Sequence, residues 1–147
     1  VRFLDESHAV IFTDKGMQLF STRVETSPES VKQIPIEENI RSITYAQDKV
    51  GIVTDNVEGG DPYKLRIYDR EGSPVFEKTF NYQYTGFDID GDLVLLYNDS
   101  SCKVYNMTGT EKYNGTFDFT VSKVSAGRFP GTLLVMGPQK MTEIKLQ

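Results

Sequence analysis

The stretch at residues 84–107, YTGFDIDGDLVLLYNDSSCKVYNM, constrains the fold of this chain more than any other. Its centre is an unbroken apolar run, Leu93, Val94, Leu95 and Leu96, followed by Tyr97. A run of that length fits a strand buried on both faces or a piece of core helix. The punctuation decides for a strand. Asp90-Gly91 stands just before it and Asn98-Asp99-Ser100 just after. Asp-Gly between apolar runs is a hairpin signal, because a type I′ turn needs positive φ at both central residues. Ahead of the turn, Phe87 and Ile89 alternate with Asp88 and Asp90; behind the apolar run, Val104 alternates with Lys103 and Tyr105. That is the two-residue period of half-buried strands. The stretch therefore reads as a three-stranded meander whose middle strand is covered on both sides.

Weaker copies of this meander run along the whole chain. A first unit, residues 1–39, offers strands at 1–4, 8–13, 17–21 and 31–36, with a polar connection at 25–29 that contains Pro28. Pro35 inside the fourth strand marks an edge, since proline cannot donate to a ladder. A second unit, residues 40–80, offers strands at 40–45, 50–54, 63–69 and 75–80, with an enlarged loop at 55–62, DNVEGGDP. The third, residues 81–119, is the opening stretch plus a fourth strand at 112–119. The last, residues 120–147, has strands at 121–125, 132–136 and 140–146 and stops one strand short. Helical periodicity is nowhere sustained; only residues 31–40 would tolerate a short helical turn.

Phe12, Val53, Leu96 and Val135 occupy matching places in the four units, a period of about 40 residues, the range of a propeller blade. The expected fold is all-β: antiparallel four-stranded blade repeats forming a partial β-propeller of about four units in one domain. A β-sandwich or a stacked meander fits the same strand count and stays open. Propellers commonly complete one blade from both chain ends. The short last unit and a start at Val1 therefore lead us to expect a processed or cut piece, the C-terminal part of a ring of roughly six to eight blades. Exposed blade edges would then invite a homo-oligomer.

Composition narrows the function. The apolar fraction of 38%, with nine Phe and eight Tyr, is enough for a core. The net charge of −5, with both signs interspersed and no basic run, argues against nucleic acid or an anionic membrane surface as partner. One cysteine, Cys102, excludes an intrachain disulfide. No stretch approaches the roughly 20 apolar residues of a membrane-spanning helix. With one His, His8, and one Cys, a nucleophile–base pair would need those two in contact from different units. Cys102 reads as a structural thiol and His8 as a surface or cap residue, and zinc needs more N/S ligands than the chain offers. Asp88-Ile89-Asp90-Gly91-Asp92 resembles part of a calcium loop, but the pattern runs into the apolar strand at Leu93, so a plain hairpin is the expectation. Gly59-Gly60 reads as a turn. Asn98, Asn106 and Asn114 begin glycosylation sequons at turns or strand ends, where these residue types are common anyway. No cofactor or metal site is expected.

One surface stands out from topology. In a propeller the strand-two-to-three loop and the strand-four-to-one loop emerge on the same face. Tyr63 in the first kind, and Tyr82 and Tyr84 in the second, form a candidate binding surface. The plainer alternative is that these tyrosines cap blade ends by packing on apolar strands.

FLDESHAVIFTDKGMQLFS, LRIYDREG and FDIDGDLVLLYNDSSCKVYNMTG resemble units of an uncharacterised bacterial, membrane-anchored propeller-like family of the WD40-like and quinoprotein-like group. The resemblance covers essentially the whole chain. It implies a domain on the extracytoplasmic face of a bacterial membrane, held by an upstream anchor. The Trp-bearing signatures of true WD40, quinoprotein and kelch repeats are missing, because the chain has no Trp. The expected function is a non-enzymatic extracytoplasmic interaction or sensing module of a cell-envelope protein, with a protein or cell-envelope glycan as partner. Two alternatives remain: part of an enzyme whose active site lies in absent upstream blades, or a purely structural scaffold.

Overall fold

The computed structural model describes residues 1–21 and 29–146. All regular structure among them is β. Four antiparallel sheets follow one another along the chain, each a meander in sequence order. The first holds β1 (Arg2–Phe3), β2 (His8–Thr13), β3 (Gly16–Ser21) and β4 (Glu29–Pro35). The second holds β5 (Ile40–Tyr45), β6 (Lys49–Asp55), β7 (Tyr63–Asp69) and β8 (Pro74–Phe80). The third holds β9 (Gly86–Asp90), β10 (Leu93–Tyr97), β11 (Ser101–Asn106) and β12 (Glu111–Thr116). The fourth has three strands, β13 (Lys123–Ala126), β14 (Thr132–Met136) and β15 (Met141–Lys145). Each four-stranded meander has the plan of a propeller blade, the fold expected from the apolar period. The polar connection expected at 25–29 lies mostly outside the described residues. The 31–40 segment continues β4 to Pro35 and has no helical turn.

The chain divides into two compact units, Val1–Asn81 and Tyr82–Gln147. In the first, Leu4, Val10, Met17, Leu19, Ile36, Val50, Ile52 and Tyr68 form one buried cluster. In the second, Leu95, Cys102, Val104, Val121, Val124, Leu133 and Val135 do the same. The middle strands carry the deepest residues: Ile52, Val53, Leu95, Leu96, Leu133 and Val135 are fully buried. Each such side chain contributes about 1.5–3 kcal/mol by leaving water.

Three local details depart from the expectations. The β9–β10 turn is not type I′. Asp90 pairs with Leu93, so the central residues are Gly91 and Asp92. Gly91 has φ +60° and Asp92 does not have positive φ. That is the type II′ signature, with glycine first. Next, β12 ends at Thr116 instead of running to 119. Residues 117–121 strap back onto the β10–β11 turn, where Phe117 N–H donates to Ser100 O and Val121 N–H to Asp99 O, both at 2.8 Å. Phe117, Phe119 and Tyr113 stack in series and cover the core there. Side-chain burial thus won over ladder continuation.

The last detail recurs. In each four-stranded sheet the ladder between strands three and four slips by one residue toward the end where the two strands are connected. The registers leave one extra residue unopposed: Val31 in β4, Val75 in β8 and Lys112 in β12. Such a bulge bends its strand and re-aims the extra side chain. Two sheets place valine there and the third places a cation.

Candidate functional site

At one end of the second unit, the β9–β10 and β13–β14 turns, with Asn106 and Lys112 flanking the β11–β12 turn, surround an open cleft of about 610 Å³. This is within the size range of ligand pockets. Its frame is built from short-range chemistry. Ala126 N–H donates to Asp90 Oδ2 at 2.8 Å, tying the third sheet to the fourth. Residues 129–132 form a hydrogen-bonded turn, with Thr132 N–H donating to Phe129 O at 3.2 Å. Pro130 supplies the fixed φ of its second position and Gly131, at φ +76°, the positive φ of its third, which makes it type II. Thr132 Oγ1 donates to the same Phe129 carbonyl at 2.6 Å, and Gly127 N–H closes the loop on Thr132 O. Phe129 stands at the corner of this braced turn with 61% of its surface in solvent.

Charge is what distinguishes the cleft. Lys112 enters it from the β12 bulge and Arg128 from the β13–β14 turn. Asp92 lines it from the II′ turn. Among the described residues none of these three side chains has a hydrogen-bond or ion-pair partner, whereas Asp90 is committed to the frame. The cleft therefore offers two cations, one anion and an exposed ring in one concavity. The sequence reading missed it. The signal was present in Arg128-Phe129-Pro130-Gly131, an exposed cation and aromatic beside a turn pair, but the alternation argument treated that segment only as a connection.

The three tyrosines fall on both units. Tyr63 belongs to the first, half-buried, with its ring 5.4 Å from that of its ladder partner Phe80. Tyr82 and Tyr84 belong to the second, on the connection ahead of β9. Tyr82 is hydrogen-bonded to Ser101 Oγ at 2.7 Å, and burial raises its hydroxyl pKa. Tyr84 packs edge-on against Phe87 at 6.4 Å. Asn98 Nδ2 donates to Gln83 O, so this connection sits at the β10–β11 end of the third sheet, opposite the cleft.

His8 is not a surface residue. It is 2% exposed, because the β1–β2 turn folds Asp5 over it. Nδ1 lies 2.9 Å from Asp5 Oδ1 and 3.0 Å from Ser7 Oγ, while Nε2 lies 3.3 Å from Glu71 Oε1. Arg70 Nη1 completes the cluster at 2.8 Å from Asp5 Oδ2. Ser7 Oγ and Asp5 share Nδ1, Ser7 Oγ also donates to Asp5 Oδ1 at 3.2 Å, and Glu71 faces Nε2, so the imidazole is bridged between two carboxylates. The backbone N–H of Ser7 and then His8 hold the Asp5 carboxyl well below the usual carboxylate range. The cluster joins the β1–β2 and β7–β8 turns.

Cys102 is fully buried, and burial pushes its thiol up to about 12, which leaves it unreactive at neutral pH. The carboxylates of Asp88, Asp90 and Asp92 do not converge. Asp88 takes the Tyr97 hydroxyl at 3.5 Å, Asp90 takes Ala126 N–H, and no group of three or more His, Cys, Asp or Glu among the described residues is placed to hold a metal ion. Asn98 and Asn106 turn their amide oxygens inward to accept the N–H groups of Ser100 and Thr108.

The chain belongs to a family of unknown function, DUF5711, whose profile matches residues 1–146. No curated protein matches it. Among solved structures it is similar to the computationally designed Ika4 protein, with a TM-score of 0.57 and 9% identity over 97% of this chain and 87% of that one. It is similar too to the WD40 β-propeller domain of Doa1, with a TM-score of 0.57 and 13% identity over 97% of this chain and 49% of that one. A third likeness, to HIRA(644-1017), has a TM-score of 0.53 and 9% identity over 96% of this chain and 54% of that one. The chain spans about half the length of the latter two. At these identities the likeness is one of fold, and the fold is that of WD40-type propellers.

Proposed function

We propose that the chain is a non-enzymatic interaction module and that the cleft of its second unit holds the partner. One observation carries this reading: Lys112, Arg128 and Asp92 reach one concavity without partners among the described residues, next to an exposed Phe129. Charged side chains left unpaired beside an exposed aromatic are the anatomy of a recognition site. The fold shared with a WD40 propeller domain supports an interaction role over catalysis. We place the module on the extracytoplasmic face of a bacterial membrane, as part of a larger propeller anchored upstream, with a protein or envelope glycan as partner; the resemblance of its blade motifs supports this. Tyr82 and Tyr84, on the connection ahead of β9, form a second contact surface of the second unit, and Tyr63 is a separate candidate contact on the first unit.

A photo-crosslinking residue at Phe129, and separately at Tyr84 and at Met141, tests the reading in native envelopes. Met141 is 66% exposed and lies outside the cleft. The expected result is a product from position 129 that disappears with Lys112→Val plus Arg128→Gln, and none from position 141. A product from position 84 alone would move the contact surface to the tyrosines and overturn the cleft. For location, a phosphatase fused to the native protein is expected to be active only outside the membrane; activity confined to the cytoplasm would contradict the placement.

A further inference from the structure

We infer that the cleft recognises a short acidic peptide segment, in which a Glu or Asp side chain stands two residues from an apolar one. This rests on the reading of the cleft as the contact surface. Lys112 and Arg128 have no carboxylate partner among the described residues, so a carboxylate supplied from outside is the group they fit. Phe129, 61% exposed on a braced turn, offers an apolar face beside them. In an extended peptide, residues i and i+2 point to the same side roughly 7 Å apart, so one acidic and one apolar side chain can enter together. A volume of about 610 Å³ takes a few side chains of a segment, not a domain.

The alternatives fit less well. A neutral glycan would stack on Phe129 but leave both cations desolvated without a counter-charge. A long polyanion meets Asp92 at the mouth and a chain of net charge −5 beyond it. A short segment places its carboxylate locally and avoids both.

The test is an amide chemical-shift titration of the full chain with three probes. Two are blocked hexapeptides, one with a Glu two residues to either side of a Phe and its Gln twin; the third is chitotetraose. The Glu peptide is expected to shift the amides of Gly91, Arg128 and Gly131 and to bind roughly tenfold more tightly than the Gln twin, a charge-assisted contact's worth. Lys112→Val and Arg128→Gln are each expected to weaken it by about tenfold. Equal binding of the Gln twin, or cleft shifts with chitotetraose alone, would overturn acidic recognition and leave the cleft standing as a site. Shifts confined to the Tyr82–Tyr84 connection would overturn the cleft itself. Silence to every probe would overturn the acidic-peptide assignment.

Discussion

The two units treat charge differently. In the first, many of the charged side chains answer one another. Arg66, nearly buried, is paired with Glu38; Lys64 meets Glu77 at 2.9 Å; Arg41 meets Asp55; and Asp5, His8, Arg70 and Glu71 close a network between two turns. In the second unit Lys103 pairs with Glu111 and Lys140 with Asp118, both at 3.5 Å. There, Lys112, Arg128 and Asp92 stand around one cleft without partners among the described residues. The bulge makes the contrast sharpest. Its extra residue is valine in both sheets of the first unit and lysine in the second unit. The same backbone device carries an apolar residue in one unit and presents a charge in the other. Internal pairs hold turns together, and cations left unpaired are available to a partner.

If that contrast holds, removing an internal partner should damage the fold, and removing a cleft charge should not. The largest effect is expected from Glu38→Ala. It leaves the Arg66 guanidinium, already short of one hydrogen bond at Nε, buried without its counter-charge. A loss of about 3 kcal/mol in urea unfolding is expected; a loss below about 0.5 kcal/mol would show that the pair contributes nothing.

The next effect depends on pH. The folded Asp5 carboxyl is held below its unfolded value, so its contribution is present above that value and is lost as pH falls from the ordinary carboxylate range toward the folded one. Asp5→Asn should therefore lower stability at neutral pH and flatten the acid limb below about pH 4. An unchanged acid limb would remove Asp5 from the network.

Smallest of all is the expected effect of Lys112→Val. It restores the residue found at the other two bulges, so stability should stay within about 0.5 kcal/mol of the parent. Cys102 reports on the same unit. Its buried thiol should resist alkylation at pH 8 in the parent and in Lys112→Val alike, and should label only on unfolding. Labelling of the folded variant would show that Lys112 supports the core.

Much of the fold was legible because it depends on local pattern. The apolar runs at β6, β10 and β14, set off by Gly, Asp and Asn, fixed their own strand identity, and their spacing fixed the repeat. Register was less legible. Asp-Gly looked like a type I′ centre, and only the pairing of Asp90 with Leu93 shows that glycine comes first. His8 looked peripheral because its partners lie in two turns, one of them more than 60 residues away. The cleft was illegible for the same reason. It is assembled from two turns and the flanks of a third, and its key cation is aimed by a bulge that leaves no mark in a two-residue alternation.

The measurement that bears most directly on this account pairs stability with affinity in one double variant, Lys112→Val with Arg128→Gln. Its urea unfolding curve and its titration with the Glu peptide are read side by side. The account predicts an unfolding free energy within about 1 kcal/mol of the parent, a protected Cys102, and an affinity lower by about a hundredfold. A variant that binds the Glu peptide as the parent does, or that loses several kcal/mol of stability and exposes Cys102, would contradict it.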